Sequence, residues 1–80
     1  MLTRFIQAAM SRASYEILSD GSLYGEISAC EGVFADAPTL EDCRKLLQEV
    51  LEEWIMLGLR LGHTIPEIDG VRLDISGEAA

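Results

Sequence analysis

The sequence predicts an α+β domain in which an antiparallel β-meander packs on one long α-helix, with a further helix added at the N-terminus. Three observations predict it. Residues 14–36 fall into short apolar runs of alternating pattern, separated by Asp-Gly and glycine-containing turns. Residues 39–62 carry apolar side chains at spacings of three and four behind a threonine, and Gly62 and Pro66 close the run. Residues 2–13 show the same helical spacing over a shorter stretch. Eighty residues make one domain, read as an N-terminal helix over 1–13, a core over 14–75 and a frayed tail over 76–80.

In the first helix Leu2, Phe5, Ile6, Ala9, Met10 and Ala13 form one apolar stripe. A helix this short needs a surface to pack on. Ser14–Leu18 reads as the first strand, with Tyr15 and Ile17 on one face. Ser19-Asp20-Gly21-Ser22 is a hairpin turn, since glycine takes positive φ without a Cβ clash. Leu23–Ser28 is the second strand. Leu23, Gly25 and Ile27 share one face, while Tyr24, Glu26 and Ser28 share the other. Gly25 inside a strand suggests a bulge or a close backbone approach. A turn at Ala29–Gly32 leads to a third strand over Val33–Asp36.

Pro38 ends the sheet, Thr39 is the N-cap of the long helix, and Asp42 gives a weak form of the capping box. Leu40, Cys43, Leu47, Val50, Trp54, Leu57 and Leu61 step by three and four in a seven-residue repeat, and Leu46, Leu51, Ile55 and Leu59 widen that stripe. Gly58 and Gly62 lie one turn apart, where another backbone could approach. Asp69-Gly70 is a further turn, and Val71, Leu73 and Ile75 alternate as a fourth strand. One helix covers only one sheet face. Covering the other falls to the N-terminal helix or to a second copy of the chain.

The charge is −8 and uneven. Residues 14–38 hold Glu16, Asp20, Glu26, Glu31 and Asp36 and no lysine or arginine. Such a surface repels nucleic-acid phosphate and anionic lipid and attracts basic protein, so neither nucleic acid nor membrane is expected as a direct partner. The longest apolar run, Trp54–Leu59, is too short to span a bilayer, and the N-terminus, broken by Gln7 and Ser11-Arg12, does not read as a signal peptide. Cys30 and Cys43 lie outside any zinc spacing and read as reduced, packed thiols of a cytoplasmic protein.

No phosphate loop, dinucleotide fingerprint or nucleophile elbow is present, and His63, the one histidine, sits just past the long helix as a C-terminal cap. An enzyme is not expected, nor is a cofactor or a metal.

Tyr24–Ser28 as an aromatic-containing strand, Gly32 in the loop after it, Thr39-Leu40-Glu41-Asp42 at the helix start and Ile65-Pro66 at its exit occur in one order and spacing. In these motifs the chain resembles the HicB family of type II antitoxins, in its short single-domain form, over residues 14–75. It departs from the family pattern at Glu31, where proline is common, and at Ala37, where glycine is common. The resemblance implies a partial ribonuclease-H-like fold, β-β-β-α-β. It also implies a partner, a small basic HicA-type toxin that cleaves RNA and is neutralised by being covered. A metal-dependent nuclease of that fold would need clustered carboxylates, for which Asp20, Glu26 and Asp36 are the only obvious set. The 80 residues hold no helix-turn-helix or ribbon candidate for operator binding.

The expected function is therefore an antitoxin-like interaction module. Glu26, Glu31, Asp36, Glu49, Glu52 and Glu53 are the candidate steering charges, and Tyr24 and Phe34 the apolar anchors. The alternative is a stand-alone homo-oligomer with a structural or regulatory role and no toxin. Its self-association candidates are Phe5, Ile6, Leu51, Ile55, Gly58, Leu59 and Gly62.

Overall fold

The computed structural model describes residues 2–72. Its elements run α1 (Leu2–Ser11), β1 (Ser14–Ile17), β2 (Leu23–Glu26), β3 (Phe34–Ala37) and α2 (Leu40–Leu61). The architecture is α+β, as the patterning predicts. The three strands form one antiparallel sheet in the order β1-β2-β3. Tyr15 pairs with Gly25, which pairs with Ala35, and Glu16 pairs with Tyr24, which pairs with Asp36.

Local chemistry sets the turns. Between β1 and β2, Leu18 N–H donates to Ser22 O (2.8 Å), Gly21 N–H donates to Leu18 O (2.9 Å), and Gly21 takes φ +90°. Asp20 Oδ1 accepts from the Ser22 backbone N–H (2.9 Å) and hydroxyl (2.6 Å), which holds its carboxyl below the ordinary range. Between β2 and β3 the chain tucks Cys30 into the core. Cys30 N–H donates to Ile27 O and Val33 N–H to Cys30 O, both at 3.0 Å.

The long helix is capped at both ends. Thr39 Oγ1 accepts from Asp42 N–H at 3.1 Å. At the far end Gly62 takes φ +76°. Gly62 N–H donates to Leu59 O (3.3 Å) and His63 N–H to Gly58 O (2.8 Å), the paired bonds of a Schellman cap. His63 thus caps through its backbone, and its side chain is exposed.

The helix buries Cys43, Leu47, Leu51, Ile55 and Gly58, an i,i+4 row rather than the seven-residue repeat. A row of residues four apart winds obliquely about the helix axis, whereas the seven-residue seam runs nearly along it, so the sheet contacts an oblique ridge of α2. Leu40, Leu57 and Leu61 of the repeat are consequently exposed, and Val50 and Trp54 half-buried. Leu51, Ile55 and Phe5 are 0–1% exposed at the centre of the protomer's core, so they are corrected from self-association candidates to core residues. Gly58 is also corrected. An added Cβ there would stand 3.0 Å from Ile65 Cδ1, so the close neighbour is the chain's own returning segment. Ile6 and Leu59 are half-buried around the same core, while Gly62 is exposed as the cap.

Helix α1 packs on α2 through Phe5 and Ala9 and does not cover the second sheet face. After α2 the chain folds back, Ile68 enters the core, and Asp69 and Gly70 both take positive φ in a turn closed by the Ile68–Val71 bridge. The Arg12 guanidinium binds Asp69 Oδ1 (2.9 Å from Nε), tying this turn to the end of α1. Of the expected fourth strand only Val71 and Arg72 lie among the described residues, and there Val71 forms the isolated bridge to Ile68. The expected tail, 76–80, lies outside them.

Candidate functional site

Strand alternation divides the sheet into two unlike faces. Gly25, Ile27, Val33 and Ala35 are buried beneath α2. Glu16, Tyr24, Glu26, Phe34 and Asp36 share the opposite face, and no described element lies over it. Phe34 is 56% exposed, a large apolar side chain left in solvent. Its ring centroid lies 6.2 Å from that of Tyr24, with planes 30° apart. Tyr24 Oη donates to Glu26 Oε1 at 3.1 Å. Desolvation first, then this bond and the charges of Glu26 and Glu16, raise the Tyr24 hydroxyl above its ordinary pKa. The face is therefore an aromatic pair framed by three carboxylates, and none of the strand residues is basic.

The structure brings Tyr24, Glu26, Phe34 and Asp36 together and separates the other sequence candidates. Glu31 lies in the exposed loop between β2 and β3. Glu49, Glu52 and Glu53 lie on α2, which covers the other side of the sheet, so the steering charges do not form one patch. Glu16 was not among the candidates, yet it stands in register with Tyr24 on the open face. The signal for it was the alternation itself, because placing Tyr15 and Ile17 inward puts Glu16 outward.

Asp20, Glu26 and Asp36 do not gather. Asp20 sits in the turn beyond Leu23, at the opposite end of β2 from Glu26. Among the described residues no three His, Cys, Asp or Glu side chains converge as metal ligands. Cys30 and Cys43 are buried free thiols. Burial pushes Cys30 up to about 11 and, with the charge of Asp36, raises Cys43 as well, so neither is a ready nucleophile. Among the described residues no helix is long and apolar enough to cross a membrane.

The fold has a solved counterpart. The crystal structure of TTHA0281 from Thermus thermophilus is 40% identical, superposes with a TM-score of 0.86, and the match covers 91% of each chain. No curated protein sequence matches the chain. The profile of the UPF0150-like family, small proteins without an assigned function, matches residues 4–66, which take in most of α1, the meander, α2 and the Ile65-Pro66 exit. The chain therefore belongs to the UPF0150-like family.

Proposed function

We propose that this protein is an antitoxin-like, HicB-type interaction module of the cytoplasm that binds and neutralises a small basic RNA-cleaving toxin of HicA type. The observation that carries the reading is the open sheet face, where half-buried Tyr24 and exposed Phe34 stand among Glu16, Glu26 and Asp36. An aromatic pair with one ring left in solvent is costly in a free monomer and useful as a buried anchor. Carboxylates around it speed encounter with a basic surface and reject acidic ones. The strand, loop and helix motifs shared with HicB-type antitoxins support the same reading. The test is co-expression with a small basic protein encoded beside this chain. The reading expects a complex in near-equal amounts and loss of the toxin's RNA cleavage. Free toxin that still cleaves RNA in the presence of excess chain would overturn it.

A second reading, a homo-oligomer without a toxin, is favoured by a different surface. Leu46, Val50, Trp54, Leu57 and Leu61 form a partly exposed apolar stripe along one flank of α2. Sedimentation equilibrium tests the self-association, which requires a mass above that of one chain, and the absence of any bound toxin separates this reading from the first, which also allows a homo-oligomer.

A further inference from the structure

We propose that the outer edge of β3 is a strand-addition site that takes an extended, basic segment of a protein partner. The inference deepens the antitoxin reading and rests on it for the identity of the partner, though not for the edge chemistry. Strand β3 is terminal in the sheet. Ile27 N–H donates to Val33 O at 3.2 Å, which fixes the phase of the β2–β3 ladder. Bonded and non-bonded pairs alternate along an antiparallel ladder, so Ala35 and Ala37 bond inward to Gly25 and Leu23. The backbone N–H and C=O of Phe34 and Asp36 therefore point outward. Among the described residues no inter-element backbone hydrogen bond reaches them. Unpaired edge groups of this kind template a further strand.

The side chains define what that strand must be. On the open face it would run beside Phe34 and Asp36, with Glu26 and Glu16 on the strands behind. Lysine or arginine at alternate positions would meet Asp36 directly and lay an aliphatic stem on Phe34. On the inner face its neighbours are Ala35 and Ala37, which leave room for small or aliphatic side chains. The edge of β1 presents only Ser14 and Glu16 on the open face, without an aromatic side chain.

The test uses the full chain, with a short synthetic peptide of alternating lysine and valine as probe. At a peptide concentration about ten times its Kd, amide exchange at Phe34 and Asp36 is expected to slow by about tenfold, with Tyr15 and Ile17 unchanged. A peptide N-methylated at alternate nitrogens, or one with glutamate for lysine, should give no protection. Asp36→Pro removes an outward N–H while keeping the bonds of Ala35 and Ala37, so it should keep the wild-type Tm and lose the protection. Three results would overturn the assignment. They are shifts without amide protection, equal protection by the N-methylated peptide, and concentration-dependent protection without any peptide, which would mean pairing with a second copy. The two proposals also fail separately. A toxin that binds wild type and Asp36→Pro alike overturns the edge site and leaves the antitoxin reading. Peptide protection with no toxin binding does the reverse.

Discussion

The ring of Tyr15 occupies the space that a side chain at Gly25 would need. The two residues are register partners on adjacent strands, and a Cβ added at Gly25 would stand 2.7 Å from Tyr15 Cε1 and 3.2 Å from Cys43 Sγ. The aromatic ring lies over bare backbone on the buried face, and α2 seats its Cys43 beside it. Gly25→Ala should cost about 1–3 kcal/mol by forcing the ring or the helix outward. Paired with Tyr15→Ala, it should cost less than the sum of the two single changes, because the two share one space. Urea unfolding of the four variants of this cycle checks both statements.

The buried row of α2 makes a second prediction. Leu51→Ala should cost about 2–5 kcal/mol, whereas Leu57→Ala, at an exposed position, should change stability by no more than about 0.5 kcal/mol. The seven-residue repeat would predict the opposite order. If the apolar flank mediates self-association, Leu57→Asp should lower the sedimenting mass with little change in monomer stability.

The helix ends make a third. Thr39→Ala removes the acceptor for Asp42 N–H and should cost about 1 kcal/mol. Gly62→Ala places a Cβ at φ +76° and should cost about 1–2 kcal/mol. Thermal unfolding followed by circular dichroism reads both.

The fourth concerns acid. The Arg12 hydrogen bond, opposed by desolvation and aided by the guanidinium charge, holds the Asp69 carboxyl below its ordinary pKa. A carboxylate lowered on folding stabilises the fold above its unfolded pKa and loses that contribution as pH falls through the folded value. The wild-type Tm should therefore fall as pH drops below about 4. Asp69→Asn keeps a residue suited to the positive φ of this turn. It should lower Tm slightly at neutral pH and flatten that acid limb. The effect will be modest, since Arg12 is 63% exposed.

The elements were legible in the sequence because their local chemistry is strong. Asp20-Gly21, Thr39 and the Gly62–Pro66 stop each imposed the backbone expected of them. The strand bounds moved by a residue or two without turning a side chain of the second strand to the other face, since Tyr24 and Glu26 keep the phase read from alternation. The helix seam was not legible. Apolar residues fill both the seven-residue and the i,i+4 rows of α2, and only the sheet selects between them. Gly25 read as a bulge or a backbone contact and proved to be a bed for an aromatic ring, which depends on a partner ten residues away. The open face was half legible. Tyr24 and Glu26 followed from alternation, and Phe34 and Asp36 from residue type, but reading the outer helix face as part of the same surface added Glu49, Glu52 and Glu53, which the topology places on the far side.

The open sheet face, and not the acidic helix, is proposed to meet the basic partner. The deciding measurement is the association rate of the proposed small basic toxin with two charge-reversal variants. One is Glu16→Lys/Glu26→Lys/Asp36→Lys on the sheet, and the other is Glu49→Lys/Glu53→Lys on α2. The sheet variant should slow association by on the order of tenfold or more and weaken its salt dependence, while the helix variant stays near wild type. A sheet variant that associates at the wild-type rate, or a helix variant that alone slows it, would contradict the account.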